Sequence, residues 1–332
     1  TSALYLAVDG TDGGDAWYSY SAAANDASAI HKFALDGART RYVGSRVVRG
    51  HVLNQFAMDE REGVLRVATS SGWVPDPEVS SNVLTLGEAD GELVELGALT
   101  GLAPQEDIRA VRFDGDRAFV VTFKKTDPLF VIDLADPARP SVLGELKIPG
   151  FSTYLHRLDE QHLLAVGFDA DDHGDFAYFD GIQIQIFDVT DLTNPALLHK
   201  TVIGTRGSGS EALMNHLAFN YFPPQGLLAL PMTICEGGDD GVAGTDLTFS
   251  GLMVFEVSLE AGITEVGRMP FVSPAGAAGT SCGTWWTDST SLVKRSIFMD
   301  EFTFGISDEL LNVAATADLG SVLRSVPLVA EP

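Results

Sequence analysis

Hydrophobic positions along this chain fall into short runs of strand length, broken by Gly, Pro, Asn and Asp. The pattern is clearest over residues 107–166. Apolar runs at Ala110–Phe113, Ala118–Phe123, Leu129–Leu134 and Val142–Ile148 alternate with the turn signals Asp114-Gly115-Asp116, Thr126-Asp127-Pro128, Asp136-Pro137 and Pro149-Gly150. The pattern then begins again at Tyr154. Four strands, four turns and a fresh start describe one blade of a β-propeller.

That unit recurs. Phe130–Asp136 with Pro140 becomes Ile186–Asp191 with Pro195, and looser copies lie at Ile30–Asp36, Val83–Gly87 and Val254–Ser258. A glycine follows the corresponding turn at Gly44, Gly97, Gly144 and Gly267. The first two strands recur as Phe56–Asp59 before Val64–Thr69, Leu155–Asp159 before Leu163–Phe168, Leu217–Tyr221 before Leu227–Met232, and Ile297–Asp300 before Phe302–Ile306. Self-similarity on the order of 50 residues is the mark of radial repeats.

The expected fold is therefore all-β: a β-propeller of four-stranded antiparallel blades, with about six blades visible. It reads as a single domain over 1–332, with blades near 1–50, 51–106, 107–151, 152–211, 212–291 and 292–332. Residues 3–50 supply only three strands, Leu4–Val8, Ala29–Leu35 and Thr40–Val48, so the first blade lacks its innermost strand. An open ring exposes sheet edges. Either residues 321–332 complete that blade, or an N-terminal segment of the same precursor does so as part of a larger ring. The second is favoured.

Composition narrows the function. Forty-six acidic against 21 basic residues give a net charge of −25, which argues against nucleic acid and anionic membrane surfaces as partners. No apolar run approaches the ~18–20 residues of a membrane-spanning helix. The chain opens on Thr1-Ser2 with neither Met nor a basic-then-apolar leader, which reads as a processed start. Cys235 and Cys282 are the only cysteines, and no Cys/His set has zinc spacing.

LNQFAMDEREGVLRVATS, the stretch from AVRFDGDRAFVV through TDPLFVIDL to LGELKIPGFSTYLH, and VIGTRGSGSEALMNH together resemble the secreted bacterial β-propeller domain family distantly related to WD-40 repeats. The likeness runs through most of the chain and weakens near 10–27, 235–250 and beyond 270. It implies an exported, secreted or cell-surface protein and brings no catalytic residues with it. In an exported chain Cys235 and Cys282 are expected to form a disulfide.

Loops between second and third strands, at 9–28, 71–81, 169–181 and 235–251, should share one face, and three of the four are long and acidic. Trp17, Tyr18, Tyr20, Trp73, Tyr178 and Phe179 place aromatics among those acids, as a face gripping a protein or a carbohydrate would. Asp169, Asp171, His173, Asp175 and Asp180 echo a calcium loop around Gly174, although His173 replaces an oxygen donor and Asp180 is shorter than the usual Glu. The competing reading is a solvated acidic loop.

His51, His156 and His216 sit on or beside first strands, while His31, His162 and His199 read as surface positions. HExxH, G-x-S-x-G and Walker A motifs are absent, and the glycine-rich Gly204–Ser210 reads as a link between blades. Asp107 and Glu211 fall at first-strand starts, near the mouth of a channel. The favoured function is a non-enzymatic binding or interaction scaffold working through its acidic loop face. The alternative is a calcium-assisted polysaccharide hydrolase or lyase in the central channel.

Overall fold

In a computed structural model the described residues are 3–9, 26–74, 76–123, 126–172, 177–239, 241–271, 282 and 291–328. Among them there is no α-helix, and strands run from end to end. They form one three-stranded and five four-stranded sheets, in which neighbouring strands such as Ala3–Asp9 with Ala27–Asp36 and Arg117–Phe123 with Thr126–Asp133 run antiparallel.

Contacts divide the chain into two compact units, residues Thr1–Ile148 with Leu192–Asn194, and Pro149–Asp191 with Pro195–Pro332. In the first unit, sheet 1 holds β1 (Ala3–Asp9), β2 (Ala27–Asp36) and β3 (Arg39–Arg49). Sheet 2 holds β4 (Met58–Arg61), β5 (Val64–Ser71), β6 (Ser80–Ala89) and β7 (Glu92–Leu102). Sheet 3 holds β8 (Asp107–Asp114), β9 (Arg117–Phe123), β10 (Thr126–Asp133) and β11 (Ser141–Pro149).

In the second unit, sheet 4 holds β12 (Phe151–Arg157), β13 (His162–Asp172), β14 (Ala177–Asp188) and β15 (Ala196–Ile203). Sheet 5 holds β16 (Asn220–Phe222), β17 (Leu227–Glu236), β18 (Asp246–Ser258) and β19 (Gly262–Pro270). Sheet 6 holds β20 (Val293–Met299), β21 (Phe302–Ser307), β22 (Leu310–Ala315) and β23 (Asp318–Pro327). Residues 318–327 are thus the fourth strand of sheet 6 and do not complete sheet 1.

The middle strands are apolar on both faces because both faces are covered. β9 and β17 are buried along almost their whole lengths, whereas the fourth strands β7 and β23 are largely exposed. Ile30, Val48, Leu65, Val67 and Leu86 fill the space between sheets 1 and 2. Ala68, Val83, Val111, Val120 and Ile132 do so between sheets 2 and 3, and Leu252, Val254, Met269, Ala314 and Leu319 between sheets 5 and 6. Each fully buried aliphatic side chain contributes roughly 1.5–3 kcal/mol.

A bulge recurs in the fourth strands. The register slips immediately after the pairs Lys32–Gly44, Thr85–Gly97, Ile186–His199, Val254–Gly267 and Val313–Arg324. One extra residue there bends the outer strand and re-aims its side chains. At Gly44 and Gly97 the hairpin of the next sheet comes so close that no side chain fits. A Cβ on Gly44 would lie 2.5 Å from Gly91 O, and one on Gly97 2.5 Å from Pro137 O. Gly144 is likewise pressed against the backbone of Leu192 and Thr193.

Three details differ from the apolar pattern. Gln55–Ala57, Glu211–Leu213 and His216–Ala218 are 3-10 turns where first strands are expected to begin, and β4 and β16 are correspondingly short. Side-chain caps cause this. Asn54 Oδ1 accepts from Phe56 N at 2.9 Å, Ser210 Oγ from Ala212 N at 3.2 Å, and Asn215 Oδ1 from Leu217 N at 3.2 Å. His216 therefore lies in a turn, and His51 joins Ser70 through an isolated bridge before the turn at Gln55.

Candidate functional site

In the first unit, residues distant in sequence converge around His51 and Trp73. Gly50 (φ +87°) fixes the approach: a Cβ there would lie 2.5 Å from Ser70 O, and the positive φ suits glycine. His51 is then clamped to the end of β5 by His51 N to Ser70 O at 2.8 Å and Ser70 N to His51 O at 3.0 Å. Its imidazole lies flat on the indole of Trp73, with centroids 3.8 Å apart and planes 6° from parallel.

Carboxylates lie near the imidazole. Asp26 Oδ2 accepts from Gly72 N at 2.6 Å, and Asp26 Oδ1 lies 3.7 Å from His51 Nδ1. Asp107, at the start of β8, pairs with Arg109 Nε at 2.9 Å. Burial pushes the Asp107 carboxyl up, against the pull of the Arg109 and His51 charges. Beside it Glu106 is also raised by burial, although its Oε2 accepts from Thr122 Oγ1 at 2.6 Å. Trp73 itself keeps 49% of its surface exposed.

Trp73 is thus an aromatic presented at the surface. That His51 stacks on it, with Asp26 beside the imidazole, is not legible in sequence, since these residues come from different strands and their junctions. The single available signal is the pairing of Gly50 and Gly72 beside His51 and Trp73.

Elsewhere the predicted residues are differently placed. Trp17, Tyr18, Tyr20, His173 and Asp175 lie outside the described residues, as does the side chain of Asp171. In the second unit Phe179 packs inward on Phe151 and Phe168, with centroids 5.1 and 6.2 Å away. Tyr178 packs against Gly241, and the Arg206 guanidinium lies 5.9 Å from its ring centre. Both rings therefore have packing roles.

Of the proposed calcium ligands, Asp169 Oδ1 holds Lys200 Nζ at 2.6 Å and Asp180 Oδ1 accepts from Arg206 N at 2.9 Å. Asp171 pairs with Tyr178 in the β13–β14 ladder, so this part of the segment is hairpin. Among the described residues no group of three or more His, Cys, Asp or Glu is placed to hold a metal ion.

Cys235 and Cys282 lie at disulfide distance, with Cα atoms 5.8 Å apart. The Gly204–Ser210 stretch is a link between sheets 4 and 5 tied to Cys235: Thr205 N, Thr205 Oγ1 and Ser208 Oγ all donate to Cys235 O, at 2.9, 3.0 and 3.1 Å. His156 is enclosed by aromatic rings, with Phe219 at 5.2 Å, Tyr221 at 5.5 Å and Tyr154 at 6.5 Å. Glu211 holds Lys294 at 2.8 Å. No helix of the described residues is long and apolar enough to cross a membrane.

Successive antiparallel sheets of three or four strands, packed against their neighbours within each unit, are those of a β-propeller. The chain belongs to the family described as Beta propeller domain, which it matches over residues 1–319. It is 42% identical over 202 residues to an uncharacterized protein of Archaeoglobus fulgidus, covering 61% of this chain and 29% of the relative. It is 46% identical over 172 residues to the uncharacterized protein MJ1554 of Methanocaldococcus jannaschii, covering 52% of this chain and 25% of the relative. The matched regions thus span only 29% and 25% of these relatives' lengths. Among solved structures, a protein from Lactobacillus plantarum aligns with TM-score 0.49 and 14% identity over 91% of this chain and 79% of the other. The Pan2 WD40 domain of Neurospora crassa aligns with TM-score 0.46 and 11% identity over 92% of this chain and 76% of the other. Membership of a propeller family points to binding and scaffolding as the broad class of role.

Proposed function

We propose that this propeller is an exported, non-enzymatic binding scaffold whose acidic loop face engages a protein or carbohydrate partner outside the cytoplasm. The observation that carries this reading is the Trp73–His51 stack: an exposed indole held rigidly by an imidazole and backed by Asp26. Rigid aromatic anchors lose little conformational entropy on binding, which is why they dominate recognition surfaces. The excess of acids supports solubility outside the cell and a selective partner.

The test is a panel of defined peptides and oligosaccharides applied to the wild-type chain and to Trp73→Ala, with the mass of each ligand measured before and after. Binding lost in the variant, with ligand masses unchanged, is the expected result. Cleaved oligosaccharide would replace this reading with the hydrolase alternative, and binding indifferent to Trp73 would remove the site. Fractionation of cells making the full-length protein tests export: a cytoplasmic location would overturn it. Native mass with and without a chelator tests the separate expectation of calcium at Asp169–Asp180.

A second reading of partnership rests on sheet 1. Among the described residues β1 has one neighbour, β2, and Leu4, Leu6 and Val8 on the same face of β1 are exposed. The proposed occupant of the free edge is an innermost strand from the same precursor, paired through main-chain hydrogen bonds. Amide exchange in β1 should be slower in the precursor than in this chain, and equal rates would overturn the idea.

A further inference from the structure

Resting on the reading of Trp73 as a binding anchor, we infer that the ligand group taken by this site is a guanidinium, presented by an arginine of a partner protein. Three observations lead there. First, Trp73 stays 49% exposed although His51 lies flat on its indole, and the stack fixes the plane of the ring, with the imidazole 3.8 Å away and 6° from parallel. An arginine guanidinium is planar and weakly hydrated, so it stacks on such a face where an ammonium makes only a point contact.

Second, the turn that carries Trp73 also carries two exposed carboxylates. Asp76 N donates to Trp73 O at 2.8 Å, and Asp76 Oδ1 accepts from Glu78 N at 2.8 Å, so the turn is internally tied. Among the described residues, no ion pair involves Asp76 or Glu78. A carboxylate beside an aromatic face offers a guanidinium both stacking and paired hydrogen bonds. A neutral sugar would use the indole and leave those charges without purpose.

Third, the chain carries −25 net charge, so a basic segment is drawn toward it while acidic ligands are repelled. Long-range attraction alone would favour lysine and arginine equally. Discrimination between them therefore reports the stacked site and not the general field.

The experiment is calorimetric titration of the whole chain with three peptides of one length, tetra-arginine, tetra-lysine and tetra-citrulline, at two salt concentrations. One tetra-arginine per chain is expected to bind more tightly than tetra-lysine, with tetra-citrulline weakest. Trp73→Ala should weaken tetra-arginine by about tenfold, the scale of one desolvated cation–π contact, and bring it level with tetra-lysine. Trp73→Phe should restore part of the difference. The double variant Asp76→Asn with Glu78→Gln leaves the indole in place and should reduce the salt dependence. Equal binding of the arginine and lysine peptides to the wild type, or a Trp73→Ala chain that still prefers arginine, would overturn the inference. Trp73-dependent capture of an oligosaccharide, with no arginine preference, would sink the guanidinium while leaving the binding anchor intact. Unchanged melting temperatures in the variants make each loss attributable to the site.

Discussion

His199 in β15 donates its Nε2–H to the carbonyl oxygen of Leu259 at 2.9 Å, joining sheet 4 to the hairpin of sheet 5. A carbonyl only accepts, so Nε2 must carry the proton. His199 occupies the bulge position that Gly44, Gly97 and Gly267 fill in other sheets. The space for its ring comes from the other side: a Cβ on Gly262 would lie 2.9 Å from His199 Nδ1.

Gly262→Ala is therefore expected to destabilise the chain, since the new methyl meets the imidazole and φ is +81°. A loss of about 1–3 kcal/mol in denaturant unfolding fits overpacking with a left-handed backbone. His199→Ala should cost about 1 kcal/mol through one hydrogen bond. Combining the two should cost less than their sum, because the absent ring makes room for the methyl. Strict additivity would mean that ring and glycine do not meet.

Gly97→Ala should be worse tolerated than Gly209→Ala. The first Cβ would press on backbone, 2.5 Å from Pro137 O, while the second meets nothing within 4 Å. About 2 kcal/mol or more is expected for the first and a few tenths for the second. Equal melting temperatures would contradict the close approach of sheets 2 and 3.

What the sequence disclosed and what it hid divide along physical lines. Strands such as Ala118–Phe123 and Leu227–Met232 are legible because both faces are buried, so apolarity alone marks them. The three strands of the first sheet are legible from their short apolar runs alone, although β1 and β3 are largely exposed. The early turns at Gln55, Glu211 and His216 are hidden because an Asn or Ser side chain competes locally with strand pairing. Trp73 can be picked from its loop, but its contact with His51 is a tertiary fact that no local pattern encodes. Phe179 looks like Trp73 in sequence, and the structure packs it on Phe151 instead.

Acid titration should show two opposed contributions. Burial raises the carboxyls of Glu106 and Asp107, so the folded chain holds those protons more tightly than the unfolded one. Once ionised they oppose folding, and their cost disappears as pH falls toward the ordinary carboxylate range. Asp136 is held low by Arg139 and Asp188 by Thr190, so they stabilise above that range and lose this as pH falls through their lowered values. Glu106→Gln should raise stability near neutral pH and shrink any gain on acidification to about pH 5. An unaltered pH profile of melting temperature would count against the buried acid.

Cys235→Ser, Cys282→Ser and chemical reduction should have similar effects on stability. The bridge closes a 47-residue separation, for which chain entropy predicts ~4 kcal/mol. Equal melting temperatures with and without reductant would show that the bond constrains the unfolded chain little.

The docking of hairpin tips on bulged outer strands has an evolutionary corollary. At Gly44, Gly97 and Gly144 the contact is main chain against main chain, and it asks nothing of side-chain identity beyond one missing methyl. Such joints are interchangeable, so a repeat can be copied, lost or substituted without inventing a new fit. At His199 the vacancy has simply moved to the opposite partner, Gly262, and the joint gained a polar fastening. A run of sheets joined this way can change its membership while keeping its joints, leaving the loop ends free to diversify.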